Sequence, residues 1–324
     1  MPKPKIVVTD YSFDKLDVEE SILLPLGVEL VGQNCKTPEE LIALVADADC
    51  VITQFAPLKA PVVAAMQKAK AIVRYGIGVD NVDLAAARER GIPVCNVPDY
   101  CIDEVADQTL SFVLALTRSV VPNCLLLRSG KWGLAVPLSE MRNLRDLTVG
   151  VVGLGRIGRE VVRRLLAFKC QVLAFDPALP AAEIAKLGCQ SASLQEVLTG
   201  CDLLTLHCPS TPETRKLINA ESIAGMKKGV LLVNVSRGDL VDTPALVAAL
   251  QTGQVAAAAL DVFDPEPLPA DHPLLKMDNV VVAPHIASTS VKAVRTLRES
   301  VARIAAAAIQ GKPLPNIVNG VASK

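Results

Sequence analysis

Three histidines, His207, His272 and His285, are the side chains best suited to move protons near neutral pH. His285 follows the apolar run 280–283 and Pro284, so it is predicted at the carboxyl end of a strand. His207 also ends a strand-like run, where a cofactor-lining role and a structural role are both open. His272 lies in a proline-rich loop and is most simply a surface residue. The sequence therefore favours His285 as the acid/base group.

Two charged residues that follow strand-like runs are suited to assist such a histidine. Arg237 comes just after the run 230–235, and a planar guanidinium binds a carboxylate through two hydrogen bonds. Glu266 lies between two prolines that stiffen its backbone, and an ionised carboxylate favours a protonated histidine. Asp261 and Asp264 are alternative partners for the histidine. The sequence also allows Arg237 to form only a surface salt bridge and Glu266 to be a solvated residue of a loop.

The run Gly153-Leu154-Gly155-Arg156-Ile157-Gly158 fits the pattern G-x-G-x-x-G. Its position after the strand-like run 148–152 and before a helix-like run is typical of a dinucleotide-binding turn. The glycines allow a tight turn, close approach of a pyrophosphate and close helix–strand packing, and the helix N-terminus offers N–H groups to phosphate. Asp176 ends the next strand-like run, 18 residues after Gly158, where an acid binds ribose hydroxyls and repels a 2′-phosphate. The sequence thus predicts NAD rather than NADP.

These residues must be positioned by strand-like and helix-like runs, which alternate along most of the chain. The strand-like runs are 5–9, 28–31, 50–53, 71–74 and 93–96, followed by six more at 148–152, 171–175, 202–206, 230–235, 257–262 and 280–283. Such alternation predicts an α/β fold with doubly wound parallel sheets. A length of 324 residues suits two domains. Long helix-like stretches are predicted at about 103–121 and 291–309.

Composition excludes several other classes of protein. Lys+Arg 33 against Asp+Glu 34 gives a net charge of −1, without the basic excess of a protein that binds nucleic acid. No apolar run approaches the ~18–20 residues that span a bilayer, so no membrane partner is expected and the cytoplasm is the expected compartment. The nine cysteines form no CxxC pair, and no metal-ligand spacing is present. Neither a disulfide framework nor a metal site is therefore expected.

Several blocks together resemble the signature blocks of the D-isomer-specific 2-hydroxyacid dehydrogenases, including the phosphoglycerate dehydrogenase and glyoxylate/hydroxypyruvate reductase branches. The main blocks are 153–158, 234–238, 261–267 and 284–287. The run 74–81 is similar to the substrate-loop block of the family, and 94–98 and 104–107 also match. The blocks appear in the family order and cover nearly the whole chain.

The resemblance implies two domains and their partners. Residues 1–101 plus 291–324 would form a flavodoxin-like substrate domain, and residues 102–290 an inserted Rossmann NAD-binding domain. The stretch from Val291 onward should therefore pack on residues 1–100. The family implies an NAD cofactor, a small 2-keto or 2-hydroxy acid as substrate, and a homodimer in which the arm around Trp132 packs on the partner subunit.

The resemblance also assigns a role to each candidate residue. Arg237 would bind the substrate carboxylate and orient the carbonyl. His285 would be the general acid in reduction and the general base in oxidation, and Glu266 would hydrogen-bond it and favour its charged form. Backbone N–H groups at Ile77 and Gly78 would cradle the substrate carboxylate. The implied cofactor-binding residues are Gly153, Gly155, Arg156, Ile157, Gly158, Asp176, His207 and Asp261, the last on the nicotinamide side.

Other functions stay open at this level. The segment 95–107 is similar to the C-terminal-binding corepressors, which sense NAD(H) and usually carry a tryptophan shortly after the histidine, but residues 288–290 hold none. One branch of the family oxidises phosphite with the same residues. Formate dehydrogenases of the superfamily have glutamine at the position of Glu266, which disfavours formate. No motif names the keto acid, whose pocket is expected to be shaped by residues 54–57, Tyr75 and Tyr100.

Overall fold

The computed structural model describes residues 3–322, which divide into two compact units. Unit 1 comprises the described residues up to Tyr100 and those from Ser290 onward, and unit 2 comprises Cys101–Thr289. Each unit is built on a parallel β-sheet covered by helices. The predicted α/β class with two parallel-sheet domains is confirmed.

The strands of the described residues are β1 (Lys5–Val8), β2 (Glu29–Gly32), β3 (Cys50–Thr53), β4 (Ile72–Arg74), β5 (Val94–Cys95), β6 (Thr148–Val152), β7 (Gln171–Phe175), β8 (Gln190–Ser191), β9 (Leu203–Leu206), β10 (Val230–Asn234), β11 (Val255–Leu260) and β12 (Val280–Val282). The α-helices are α1 (Asp17–Leu23), α2 (Pro38–Val45), α3 (Ala60–Ala65), α4 (Leu84–Glu89), α5 (Ile102–Thr117), α6 (Val120–Arg128), α7 (Arg156–Ala167), α8 (Ala181–Ala185), α9 (Leu194–Gly200), α10 (Ala220–Gly225), α11 (Thr243–Thr252) and α12 (Val291–Ile309).

The sheet of unit 1 has the order β2-β1-β3-β4-β5, which is the flavodoxin-like order. Helices α1 and α12 cover one face, where Leu297 and Val301 of α12 belong to the same apolar core as Ile6 and Val73. Helices α2, α3 and α4 cover the other face. The inner strands β3 and β4 are thus buried on both faces, as parallel sheets require, whereas the edge strand β2 is partly exposed.

The sheet of unit 2 has the order β12-β11-β10-β9-β6-β7-β8. The chain winds outward in both directions from the neighbours β6 and β9, so the topological switch point lies between their carboxyl ends. The prediction of six strands was wrong by one, because β8 adds a seventh strand at the edge beside β7. This strand consists of Gln190 and Ser191, which are too short and too polar to give a hydrophobic pattern.

The predicted amphipathic stretch at 103–121 is also interrupted. Ser119 has a left-handed backbone, with φ of 47°, and separates α5 from α6. Within the chain segment described, no single helix is long and apolar enough to cross a membrane. The pair α5 and α6 reaches the required length and composition only together, and it is bent by 63°.

Candidate active site

The glycine turn after β6 is packed so closely that its first and third glycines admit no side chain. Gly153 has φ of 95°, and a Cβ atom there would lie 2.6 Å from the backbone carbon and oxygen of His207. A Cβ atom on Gly158 would overlap the carbonyl oxygen of Gly153. The glycines therefore allow the first turn of α7 to pack directly against the ends of β6 and β9.

Gly155, by contrast, faces open space. No atom lies within 4 Å of the position that a Cβ atom would take on Gly155, which is the N-cap residue of α7. In an α-helix the first N–H groups, here those of Arg156, Ile157 and Gly158, have no acceptor within the helix, and the positive end of the helix dipole lies beside them. A backbone without a side chain next to such N–H groups leaves room for a pyrophosphate, so the residues of this turn fit a dinucleotide cofactor.

Asp176 stands at the end of β7 beside this turn. Its carboxylate accepts hydrogen bonds from the N–H groups of Leu154, at 2.7 Å, and Ala178, at 2.9 Å. The acid predicted to bind the ribose is thus partly exposed and is held against the glycine turn. A fixed negative charge lies where the sequence places the ribose.

His207 lies at the end of β9, directly across the switch point from the glycine turn. Its N–H donates to the Val152 carbonyl at 2.7 Å, and its ring Nε2 lies 2.9 Å from Oγ1 of Thr205. Burial lowers the pKa of His207 to about 3, so the ring is neutral at physiological pH. His207 is therefore unsuited to acid/base chemistry, and its predicted contact with the cofactor stays a prediction.

His285 has a different environment, at the carboxyl end of β12. Its ring Nδ1 lies 2.9 Å from Oε2 of Glu266, and about a third of each side chain is exposed. Its backbone is left-handed, with φ of 53°, and its N–H donates to the carbonyl of Asp261 at 2.8 Å. A bond at Nδ1 makes Nε2 the ring atom that would exchange a proton with a substrate.

Asp261 explains how His285 keeps this uncommon backbone conformation. The Asp261 side chain is buried, and its two oxygens accept hydrogen bonds from the N–H groups of Ile286 and Ala287, each at 2.9 Å. Burial raises the pKa of Asp261, and these two hydrogen bonds oppose that rise. The structure thus shows Asp261 fixing the turn that carries His285. Its predicted place on the nicotinamide side stays a prediction.

Glu266 is held from two sides. Its Oε1 accepts the N–H of Phe263 at 2.8 Å, while Oε2 pairs with His285. Burial raises the pKa of Glu266, but the hydrogen bond and charge of His285, the Phe263 N–H and the nearby charge of Arg237 together outweigh burial and lower it. Glu266 is therefore ionised at neutral pH and presents its negative charge to Nδ1 of His285.

Arg237 is brought to the same place by a tight turn after β10. The Asn234 side chain accepts the N–H of Ser236 at 3.1 Å and donates to the carbonyl of Arg237 at 2.8 Å. A Cβ atom on Gly238 would overlap the backbone of Phe263, so only glycine lets this turn pack on the segment that carries Glu266. The three predicted catalytic residues, Arg237, Glu266 and His285, therefore lie together at one edge of unit 2.

Ile77 and Gly78 lie in unit 1, in the loop after β4. The loop begins at Gly76, whose φ of 143° favours glycine, and the Ile77 carbonyl accepts a hydrogen bond from Nδ2 of Asn96 at 2.6 Å. Both residues are partly exposed. Their binding to a substrate carboxylate stays a prediction.

Potential metal ligands do not cluster in the part of the chain that the structure describes. No group of three or more His, Cys, Asp or Glu residues within residues 3–322 is arranged to hold a metal ion.

Comparison with known proteins identifies the family. The family model described as "D-isomer specific 2-hydroxyacid dehydrogenase, NAD binding domain" matches residues 110–287, more than half of the chain. The chain belongs to the D-isomer-specific 2-hydroxyacid dehydrogenase family. The match covers the glycine turn and the edge that carries Arg237, Glu266 and His285, so both lie in the NAD-binding domain of this family.

Individual members of the family are similar over most of this chain. The D-3-phosphoglycerate dehydrogenase of Methanocaldococcus jannaschii is 38% identical over 290 residues, which are 87% of this chain and 54% of that protein. The glyoxylate reductase of Thermofilum pendens is 39% identical over 292 residues, 87% of this chain and 84% of that protein. The crystal structure of D-lactate dehydrogenase from Aquifex aeolicus, complexed with NAD and lactic acid, has 29% identity, a TM-score of 0.85, and coverage of 95% of this chain and 96% of that one.

The comparisons confirm the predicted 2-hydroxyacid dehydrogenase family and the NAD cofactor. The chain spans about half the length of the archaeal phosphoglycerate dehydrogenase that it matches. Sequence reasoning missed the part that Asn234, Gly238 and Asp261 play in placing the catalytic residues. The available signal was their position at or shortly after the carboxyl ends of β10 and β11, because strand ends of a parallel sheet meet at one edge.

Proposed function

We propose that this protein interconverts a small D-2-hydroxy acid and its 2-keto acid with NAD(H). The observation that carries the proposal is the hydrogen-bonded pair of His285 Nδ1 and Glu266 Oε2, with the turn of Arg237 packed on the same segment. A protonatable ring, an ionised carboxylate and a guanidinium are the groups needed to reduce the carbonyl of a carboxylate-bearing substrate.

In this proposal Arg237, His285 and Glu266 have separate tasks. Arg237 binds the substrate carboxylate and orients the carbonyl. Bound NADH supplies a hydride to the carbonyl carbon. Nε2 of protonated His285 gives its proton to the carbonyl oxygen, which becomes the hydroxyl group of the product, and neutral His285 then regains a proton from water. Glu266 holds the ring in place and stabilises its charged form. Oxidation runs through the same steps in reverse.

The cofactor would be held by the turn after β6. In the proposal, Gly153, Gly155 and Gly158 give the pyrophosphate access to the N–H groups of Arg156 and Ile157. Asp176 accepts hydrogen bonds from the ribose hydroxyls, and its negative charge disfavours a 2′-phosphate. His207 lines the turn with its backbone, and Asp261 faces the nicotinamide. In unit 1, the N–H groups of Ile77 and Gly78 are assigned to the substrate carboxylate.

The test is a panel of 2-keto acids assayed with NADH. We expect turnover of at least one of glyoxylate, hydroxypyruvate and pyruvate. Chiral analysis should show the D-hydroxy acid as the product of hydroxypyruvate or pyruvate, since the glycolate formed from glyoxylate is achiral. A lack of turnover across the panel, or an L-product, would overturn the proposal. Phosphite and formate assayed with NAD test the neighbouring activities, and turnover of either one alone would move the function to that branch.

The proposal extends to a homodimer. Large apolar side chains on α6 and the segment after it are exposed: Leu125 57%, Leu127 57%, Trp132 94%, Leu134 56% and Leu138 75%. A surface of this kind is typical of a protein interface. Trp132 is the only tryptophan, so its fluorescence reports the interface directly. We expect a dimer by sedimentation, with Trp132 emission shifting to longer wavelength on dilution. A monomer with constant emission would contradict this part of the proposal.

We also place the protein in the cytoplasm. All nine cysteines are free thiols, and eight of them are buried, which supports a reducing compartment. Fractionation of cells that express the tagged protein tests this placement, and recovery outside the cytosolic fraction would overturn it.

A further inference from the structure

A buried polar cluster in unit 1 joins α1, the end of β4 and α12. Glu19 is fully buried, Tyr75 is 2% exposed and Arg298 is 9% exposed. The hydroxyl of Tyr75 donates to Oε1 of Glu19 at 2.9 Å. Arg298 donates to the same carboxylate from Nε, at 3.0 Å, and from Nη2, at 2.6 Å. One buried carboxylate is thus shared by a guanidinium and a phenol.

Aromatic contacts and further hydrogen bonds fix the orientation of the cluster. The guanidinium carbon of Arg298 lies 4.8 Å from the centre of the Phe13 ring, and the Phe13 and Tyr75 rings meet edge to face at 5.4 Å. Nη2 of Arg298 also donates to the carbonyl of Lys15 at 2.7 Å and to Asp17 at 2.8 Å. Neither the arginine nor the tyrosine ring can turn without breaking several of these contacts.

Tyr75 leads directly into the loop of Gly76, Ile77 and Gly78. Its N–H donates to the Thr53 carbonyl at 2.8 Å, and the Gly76 carbonyl accepts the N–H of Val97 at 3.0 Å. Burial, with Glu19 beside the hydroxyl, raises the pKa of Tyr75 well above its usual value, so the hydroxyl stays protonated and keeps donating. The ring of Tyr75 is therefore a fixed point at the base of this loop.

Stability alone does not account for such a cluster. A buried ion pair is generally no more stabilising than well-packed apolar residues of the same volume, because both charges lose their hydration. What the cluster supplies is a defined geometry, since its directed hydrogen bonds fix the base of the loop as apolar packing would not.

We infer that Glu19 and Arg298 are positioning residues for substrate binding, which act through Tyr75 on the loop Gly76–Gly78. This inference rests on the proposed function, in which the N–H groups of Ile77 and Gly78 bind the carboxylate of the 2-keto acid. A loop held at its base presents those N–H groups in one orientation, and a loop free to shift does not. A small misplacement of a positioning group is enough to weaken binding strongly.

The test uses Tyr75→Phe, which removes one hydroxyl and keeps the ring, followed by Glu19→Gln, which keeps the shape of the side chain. Asn319→Ala is the matched control. Asn319 is also buried in unit 1. Its side chain accepts the backbone N–H of Val94 and donates to the backbone carbonyl of Ile92. Steady-state kinetics give the KM of the keto acid, the KM of NADH and kcat. Hydrogen–deuterium exchange of the peptide covering residues 75–83, without substrate, reports the loop independently of catalysis.

We expect Tyr75→Phe to raise the KM of the keto acid about 5- to 50-fold and to speed exchange in the loop, while the KM of NADH changes less than about 2-fold. Glu19→Gln should act in the same direction. Asn319→Ala should lower the melting temperature and leave both readouts unchanged. Equal KM values for wild type and Tyr75→Phe would overturn the inference, as would a loop whose exchange is the same in both. If wild type reduces no 2-keto acid, the proposed function is wrong. The exchange data then still decide whether Tyr75 holds the loop.

Discussion

Two regions along the carboxyl edge of the sheet in unit 2 differ in how they use a histidine. At the end of β12, His285 is partly exposed and bonded to an ionised carboxylate. At the end of β9, His207 is packed against Gly153, bonded to a threonine hydroxyl and neutral, with its pKa lowered to about 3 by burial. Both positions are strand ends at one edge, where doubly wound sheets bind ligands. Burial and the bonding partner, rather than the place in the fold, decide which histidine can carry a proton.

The same contrast holds for the residues around them. The β12 region gathers groups of opposite charge, Arg237, Glu266 and His285, whose interaction depends on protonation. The region around β6 and β9 gathers glycines and helix N–H groups, whose electrostatic effect does not change with pH. One region is thus suited to the proton and the substrate carboxylate, and the other to a cofactor whose charge is constant.

Loss of His285 should give the largest effect. We expect His285→Ala to lower kcat by about 10²–10⁴-fold, because no other group at the edge supplies the proton, while NADH binding changes little. His207→Gln should lower kcat less than about 10-fold, since a neutral ring takes no part in proton transfer. His272→Ala is the control, since the ring of His272 accepts the N–H of Leu274 in a separate turn. Steady-state kinetics of the three variants measure these losses of kcat. Similar losses of kcat in His285→Ala and His207→Gln would remove the distinction between the two regions.

The fixed charge of Asp176 should give the next largest effect. A carboxylate facing a 2′-phosphate is a like-charge contact worth roughly 1–3 kcal/mol when partly desolvated, so kcat/KM should favour NADH over NADPH about 5- to 150-fold. Asp176→Asn keeps an oxygen that can accept the Leu154 N–H. It should reduce the preference of kcat/KM for NADH over NADPH. Equal efficiency of wild type with both cofactors would show that Asp176 does not face the ribose.

Much of this edge could be predicted from the sequence, because its residues follow apolar runs. Glu266 and His285 are 19 residues apart, yet each follows one of two neighbouring parallel strands, so pattern alone brings them together. The same reasoning finds Arg237 after β10 and the glycine turn after β6. Helix α12 is also as predicted, since its apolar period runs without interruption over Val291–Ile309.

Other features depend on geometry that no local pattern carries. The hydrogen bonds of Asp261 to Ile286 and Ala287 require the left-handed backbone of His285, which is rare for a residue with a side chain. Glu19 and Arg298 are 279 residues apart, and charged residues on helices are usually solvated, so their burial could not be foreseen. The neutrality of His207 follows from its desolvation in the folded protein, which the sequence does not show.

The neutral state of His207 should affect stability rather than activity. Its pKa in the folded protein, about 3, lies below the 6.5 of an unperturbed histidine, so the unfolded state binds the extra proton. The stabilisation is complete above pH 6.5 and is lost as the pH falls toward 3. Between pH 7.5 and pH 5 this group should lower the free energy of unfolding by about 2 kcal/mol. Urea unfolding of wild type and His207→Gln at both pH values measures this, and the variant should lose about 2 kcal/mol less. An equal loss in both proteins would mean that the His207 ring is already protonated in the folded protein at pH 5.

The smallest effect, and the one most specific to the β12 region, concerns Glu266. Because hydrogen bonding to His285 and nearby charge lower the pKa of Glu266, it stays ionised throughout an assay between pH 6 and 9. An ionised partner favours protonated His285, the form that reduces the keto acid. Glu266→Gln removes that charge and keeps the shape of the side chain. The pH at which kcat/KM for reduction falls should therefore move to lower values, and the rising limb for oxidation should move the same way.

Glu266→Asp is the matched control for this change, since it keeps the charge on a shorter side chain. Its kcat should be lower than that of wild type, because the shorter side chain makes a poorer contact with Nδ1 of His285. Its pH profile should stay closer to that of wild type than the profile of Glu266→Gln does. The measurement is kcat/KM against pH for the three proteins in both directions. Coincident profiles for wild type and Glu266→Gln would mean that the carboxylate only holds the ring in place. The charge of Glu266 would then not be what sets the β12 region apart from that of His207.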